Sequence, residues 1–172
     1  IIGYTSPKWS AVFSNSIFWK NFDFSFDIRY VYGHKVVNAS THNAEDRSGV
    51  ANGFITNLDA WTPANQNTMV AERRPMVTYY DSHPDTRWMQ DGTFIRGQNF
   101  VLGYNVGKSF LKKLQVQQLR LYINAQNLFC ITNYNGYDPE VTTYDNYIFG
   151  QGIDSFSEPK SRTYTIGLNV KF

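Results

Sequence analysis

Cysteine is nearly absent: Cys130 stands alone in 172 residues. One thiol cannot form an internal disulfide or a thiolate zinc site, so the compartment cannot be read from it. No run approaches the roughly 18 apolar residues that a membrane-spanning helix needs, which excludes helical membrane proteins and nothing more. Neither sign of charge dominates. The 16 Lys and Arg against 14 Asp and Glu leave a formal net charge of +2. The basic residues are dispersed along the chain, so no nucleic-acid partner is expected. His34, His42 and His83 show no His-x-x-x-His spacing and no accompanying carboxylate run, so they are expected to be solvated loop side chains and not metal ligands. The opening Ile1-Ile2-Gly3 has no methionine, basic n-region or apolar h-region. The expectation is a removed leader or the back part of a longer protein.

What is abundant is aromatic. The chain has 13 Phe, 12 Tyr and 4 Trp, yet its mean hydropathy is −0.42. Apolar residues must therefore be interleaved with polar ones, which is strand patterning and also suits a transmembrane β-barrel. The last eleven residues show it plainly. Tyr164, Ile166, Leu168, Val170 and Phe172 share one parity, and Thr163, Thr165, Gly167, Asn169 and Lys171 share the other. Side chains alternate across a strand, so one face is apolar and one polar. Such a strand either closes a buried core or meets lipid.

Four more strands are predicted. Residues 10–19 carry Ala11, Phe13, Ile17 and Trp19 on one parity, interrupted by Asn15. Lys20-Asn21 suits a tight hairpin turn. Residues 22–32 alternate Phe22, Phe24, Phe26, Ile28, Tyr30 and Tyr32 with Asp23, Ser25, Asp27, Arg29 and Val31. In residues 94–106, Phe100, Leu102, Tyr104 and Val106 oppose Asn99, Val101, Gly103 and Asn105. In residues 116–131, Leu119, Leu121, Ile123 and Ala125 oppose Arg120, Tyr122, Asn124 and Gln126. Tyr30 and Tyr32 at one end, with Trp19 near the other, are placed as interfacial aromatic girdles would be.

The connections are of unequal length. Residues 34 to about 90 and 133–161 lack sustained periodicity, while Lys20-Asn21 and the basic link 107–115 are short. In an up-and-down meander, alternate loops lie at one end, so both long loops are expected at one end and both short links at the other. That asymmetry belongs to outer-membrane barrels. Five strands are too few to close a barrel, and open edges are not viable in lipid. The missing strands come either from other chains or from a larger protein, and the leaderless start favours the second.

The chain resembles the C-terminal end of SusC/RagA-type TonB-dependent transporters of Bacteroidetes outer membranes. The stretches that carry the resemblance begin with Asn21-Phe22-Asp23-Phe24-Ser25-Phe26, Leu58-Asp59-Ala60-Trp61-Thr62-Pro63 with Asn65 and Asn67-Thr68, and Asp91-Gly92-Thr93-Phe94-Ile95-Arg96. They continue with Leu102-Gly103-Tyr104-Asn105, Leu119-Arg120-Leu121-Tyr122, Asn124-Ala125-Gln126-Asn127-Leu128-Phe129, Gly136-Tyr137-Asp138-Pro139-Glu140-Val141 and the closing stretch 162–172. The resemblance implies an all-β, antiparallel, 22-stranded transmembrane barrel of which residues 1–172 supply about the last five strands. It implies an N-terminal plug outside this chain, a SusD-like surface lipoprotein as lid, energy from TonB, and oligosaccharide or peptide cargo taken up across the outer membrane. No cofactor and no enzymatic activity are implied. The sequence departs from the pattern at Gln98, where an apolar residue is common, and in the aromatic and acidic run 143–157.

Candidate residues follow. The polar-parity residues Asp23, Asp27, Arg29, Arg120, Asn124 and Gln126 are expected to line the lumen. Asp23 and Asp27 stand about 13 Å apart along a strand, too far for a catalytic pair. Tyr164, Ile166, Leu168, Val170 and Phe172 look like the signal read by the barrel assembly machinery, or are simply lipid-facing. The loop aromatics Trp61, Tyr79, Tyr80, Trp88, Tyr134, Tyr137 and Tyr144 are candidates for cargo or partner contact, since aromatic faces stack on sugars and anchor interfaces. The plainer account is that they pack the loops together. Asp81, Asp85, Asp91, Asp138 and Glu140 supply hard oxygens but fit no calcium-loop spacing. Cys130 has no evident base beside it. Lys108, Lys112 and Lys113 either meet anionic headgroups or form a solvated turn. The alternatives to a transporter are a soluble exported β-rich binding module and an outer-membrane enzyme barrel.

Overall fold

The structure is a computed structural model that describes residues 2–45, 53–72, 86–143 and 151–172. It divides into two units. A sheet unit comprises Pro7–Tyr32, Thr93–Asn133 and Lys160–Phe172, and a loop unit comprises Ile1–Ser6, Gly33–Gly92 and Tyr134–Pro159.

The elements in chain order are β1 (Trp9–Trp19), β2 (Phe22–Tyr32), β3 (Lys35–Asn38), α1 (Ala39–Ala44), a 3-10 turn (Ile55–Asp59), β4 (Met89–Asp91), β5 (Phe94–Asn105), α2 (Lys108–Leu114), β6 (Gln118–Thr132), β7 (Ile153–Asp154) and β8 (Thr163–Lys171). Among the described residues, the sheet unit is an antiparallel meander in the order β1-β2-β5-β6-β8. These are the five strands that the alternation predicts, within two residues at each end. No helix of the described residues is long and apolar enough to cross a membrane, which leaves crossing by strands open.

The register explains the alternation. Phe22 pairs with Tyr104, Phe24 with Leu102 and Phe26 with Phe100. Tyr104 in turn pairs with Leu121, and Leu102 with Ile123. Leu121 pairs with Leu168 and Ile123 with Ile166. Every such row puts apolar beside apolar on one face. Lys20 adopts φ +52° in the two-residue β1–β2 turn, the left-handed value that tight hairpins demand.

One feature breaks the simple parity. Phe94 and Phe100 share a parity, but the register shifts around Gln98 in β5, where Ile28 pairs with Gly97 and Asp27 with Asn99. Gln98 is the extra residue of a β-bulge, which moves everything before it to the other face. Phe94 and Arg96 therefore join Val31 and Arg29 on the polar face, where Phe94 and Arg96 are buried. Opposite Gln98, β6 has an extra residue of its own, with Asn127 and Leu128 between Gln126 and Phe129, and Asn127 adopts φ +52°, a conformation asparagine tolerates. Gly97 has a packing reason at this point. A Cβ there would lie 2.6 Å from the Phe129 ring and 2.7 Å from the Phe100 ring.

The loop unit corrects the expectation of irregular chain over 34–90 and 133–161. The described residues there include a mixed three-stranded sheet in the order β4-β3-β7, with β3 and β7 parallel. Val36 and Asn38 of β3 and Asp154 of β7 are its most buried side chains. The link 107–115 is likewise not a plain turn. It is the helix α2, entered from an extended Gly107 and closed by Gln115 in the left-handed conformation.

Candidate functional site

The apolar face of the sheet unit carries three aromatic groups. At the long-loop end, Trp9 meets Tyr30 edge-on at 4.9 Å between ring centroids and lies 5.8 Å from Tyr32. In the middle, Phe26 contacts Phe13 and Phe24 and stacks on Phe100, which in turn meets Phe129. At the short-turn end, Trp19 stacks with Phe22, and Phe22 meets Tyr104 at 4.8 Å. Strand β2 has 11 residues. At about 3.3 Å per residue and a tilt of about 40°, it rises roughly 25 Å, the height of an outer-membrane apolar band. The face is open: Ile166 is 82% exposed and Phe13 59%.

The opposite face gathers the polar parity. Asp23, Asp27, Arg29, Arg120, Asn124 and Gln126 all fall on it, as their pairings show. Asp27 shares a row with Asn99 and Gln126, and Arg29 shares one with Arg96 and Cys130. At the short-turn end, Arg120 donates to both carboxylate oxygens of Asp23, with Nε at 3.1 Å from Oδ1. The Asn105 side chain donates to the same oxygen at 3.2 Å. Gly103 leaves the room for this pair, since a Cβ there would lie 2.5 Å from both Asp23 oxygens and from Arg120. Sequence spacing had no means of joining Asp23 to Arg120, because they meet diagonally across β5.

The loop unit treats its aromatics unequally. Trp88 and Tyr134 are buried, at 7% and 5% exposure. The Tyr134 hydroxyl donates to the Asp154 carboxylate at 2.6 Å. Burial first, then that hydrogen bond and the charges of Asp154 and Asp138, push the Tyr134 phenol well above its ordinary range. The Trp88 indole meets His42 edge-on at 4.5 Å. Trp61 and Tyr137 remain accessible, Tyr137 at 81%. Tyr79, Tyr80 and Tyr144 lie outside the described residues, as do Asp81, Asp85 and His83. The expectation of solvated histidines fails for the two described ones. His34 is buried, with Nε2 3.2 Å from the Pro139 carbonyl oxygen, and His42 is half-buried against Trp88.

A 3-10 turn runs over Ile55–Asp59, and Ala60 after it is already extended. Asp59 then ties the following loop. Its carboxylate accepts from the Asn65 side chain at 2.9 Å and from the Thr68 hydroxyl at 2.9 Å. These two bonds, Asn65 first, hold the Asp59 carboxyl below its ordinary range. The backbone N–H of Trp61 donates to the Val70 carbonyl at 2.8 Å. Asp59 is thus a positioning residue for Trp61, and its only sequence signal is the stretch it shares with Asn65 and Thr68. Among the described residues, no His, Cys, Asp or Glu group is arranged to hold a metal ion.

Charge is sorted between the units in a way that the dispersed sequence concealed. The sheet unit holds eleven basic and two acidic residues, net +9, and the loop unit holds five basic and twelve acidic, net −7.

No protein-family model matches the chain. TonB-dependent receptor P3 of Formosa agariphila is 38% identical over the whole chain, which covers 17% of that receptor. TonB-dependent receptor SusC of Bacteroides thetaiotaomicron is 28% identical over 90% of the chain, which covers 14% of SusC. Among solved structures, the RagAB peptide importer in its closed-closed state superimposes on the whole chain with a TM-score of 0.83 and 26% identity, covering 18% of that importer's chain. Its open-open state matches 97% of the chain with a TM-score of 0.80. The chain spans less than a fifth of the length of these relatives, which are receptors and importers and not enzymes. With its antiparallel meander and its two contrasting faces, the chain is related from end to end to a section of the transmembrane β-barrel of SusC/RagA-type TonB-dependent receptors.

Proposed function

We propose that this chain is the C-terminal barrel section of an outer-membrane importer of the SusC/RagA type. The carrying observation is the register, which sorts five strands into one apolar and one polar face and gathers their long connections at one end. In this reading the apolar face meets outer-membrane lipid. The polar face, with the Asp23–Arg120 pair, Asp27, Arg29, Asn124 and Gln126, lines the lumen. The outer edges of β1 and β8 pair with strands outside this chain, because unpaired strand edges are not tolerated in lipid. The apolar parity of β8 with Phe172 is read by the barrel assembly machinery.

The loop unit lies on the cell surface and meets a SusD-like lipoprotein that acts as lid. Of its candidate aromatics, Trp61 and Tyr137 are accessible to that partner or to cargo, and Tyr79, Tyr80 and Tyr144 remain candidates with them. A plug supplied from outside this chain couples the barrel to TonB, and the cargo is an oligosaccharide or a peptide. The test is genetic. Removing the gene for the full polypeptide should abolish energised uptake of one such class, measured as growth on that nutrient alone, and the tagged protein should bring a surface lipoprotein with it on purification. Unimpaired growth on every oligosaccharide and peptide source would contradict the importer reading.

A further inference from the structure

At the short-turn end of the apolar face, a groove of about 380 Å³ runs across the strands between Phe22, Leu102, Tyr104, Leu121, Ile123 and Leu168. It has the size of a small-ligand cleft, and almost nothing polar lines it. The aromatic group Trp19, Phe22 and Tyr104 borders this end. Lys20 in the β1–β2 turn lays its ammonium over the Trp19 ring, 5.0 Å from the centroid. Trp19 belongs to the apolar face, so the Lys20 charge stands at the rim of that face. The second short link adds Lys108 and Lys112, both exposed and one helical turn apart on α2.

Counter-charge is scarce here. Residues 92–137 contain no Asp or Glu at all. The sheet unit holds only Asp23 and Asp27, and Asp23 is engaged by Arg120 on the other face. The two short links thus bring Lys20, Lys108 and Lys112 to the end of the sheet that carries the apolar groove and its aromatics, a pairing that matches a lipid in chemistry: a phosphate above an acyl chain. We propose that this corner is a binding site for an anionic phospholipid. Its phosphate would sit among Lys20, Lys108 and Lys112, and one acyl chain would fill the groove. The proposal rests on the membrane reading of the sheet above.

The test uses the full-length protein in nanodiscs of an equimolar mixture of phosphatidylglycerol and phosphatidylethanolamine. Lipids retained after detergent stripping are counted by native mass spectrometry. The expected result is an enrichment of phosphatidylglycerol of about tenfold. K20Q/K108Q/K112Q should lose the enrichment, K20R/K108R/K112R should keep it, and raised salt should erode it in the unmodified protein. Equal retention of the two lipids, enrichment undiminished in the glutamine variant, or enrichment indifferent to salt would each overturn the site. Heat-modifiable migration of the same preparation checks the membrane reading independently. A chain that shows no folded barrel in detergent removes that reading, whereas a folded barrel without lipid preference removes only the site.

Discussion

In the sheet unit, Ile166 and Phe13 lie open on the apolar face. In the loop unit, Trp88 and Tyr134 are almost fully buried. The first unit is net +9 and the second net −7. An apolar residue in the sheet is placed by parity, because a strand with two different solvents on its two faces must alternate. A buried apolar residue in the loop unit, such as Trp88 or Tyr134, is placed by packing among short, irregular segments, and nothing periodic marks it. One chain thus shows two ways of satisfying the hydrophobic effect. Exposed apolar area is a defect under one rule and a requirement under the other.

The sharpest way to break this comparison is to put the same charge on each face of one strand. I166R would place a guanidinium on the open apolar face of β8, at a cost of about 2–4 kcal/mol if that face meets the bilayer midplane. T165R, one residue away on the polar face, should be nearly neutral. The measure is the fraction of folded, heat-modifiable protein in the outer membrane. Equal loss in both variants would remove the distinction between the faces.

A smaller effect is expected inside the loop unit. Tyr134→Phe takes the hydroxyl from the buried Asp154 carboxylate, which still accepts from the Ser157 backbone N–H. The expected cost is about 1–3 kcal/mol, seen as faster hydrogen exchange in β3 and β7 with β2 and β6 unchanged. The phenol's folded value is raised, so its contribution is whole below the ordinary tyrosine value near 10 and fades as pH rises through the raised one. Ionisation of this group should therefore add no pH dependence to the stability of β3 and β7 near neutral pH.

The smallest effect sits at Asp59, whose folded value is lowered. Its contribution is present above the ordinary carboxylate value of about 3.9 and is lost as pH falls through the lowered one. Protection of the Trp61 amide should fall over that acid range, and Asp59→Asn should remove the dependence. An unchanged acid profile in the variant would mean that Asp59 does not tie this loop.

The five strands were legible because each is at least nine residues long and alternates over most of its length, and the loop sorting followed from their order. Three features were not. The bulge at Gln98 reverses parity within β5, so Phe94 reads as a partner of Phe100 while the fold places it with Arg96 and Val31. A single polar residue in an apolar position was its only trace. Strands β3, β4 and β7 have four, three and two residues, too short for any period to show, and the β3–β7 pair is parallel between distant segments. The opposed charges of the two units vanish in the total of +2, because the chain passes between the units repeatedly.

The central claim is that one face of the sheet meets lipid and the other meets water. Cysteine scanning along β6 tests it most directly. In a Cys130→Ser background, single cysteines at positions 119–126 of the full-length protein in native outer membranes would be exposed to a membrane-impermeant, water-soluble maleimide after outer-membrane permeabilisation. Positions 120, 122, 124 and 126 should label, and positions 119, 121, 123 and 125 should not. Labelling that ignores parity, or that favours the odd positions, would contradict the account.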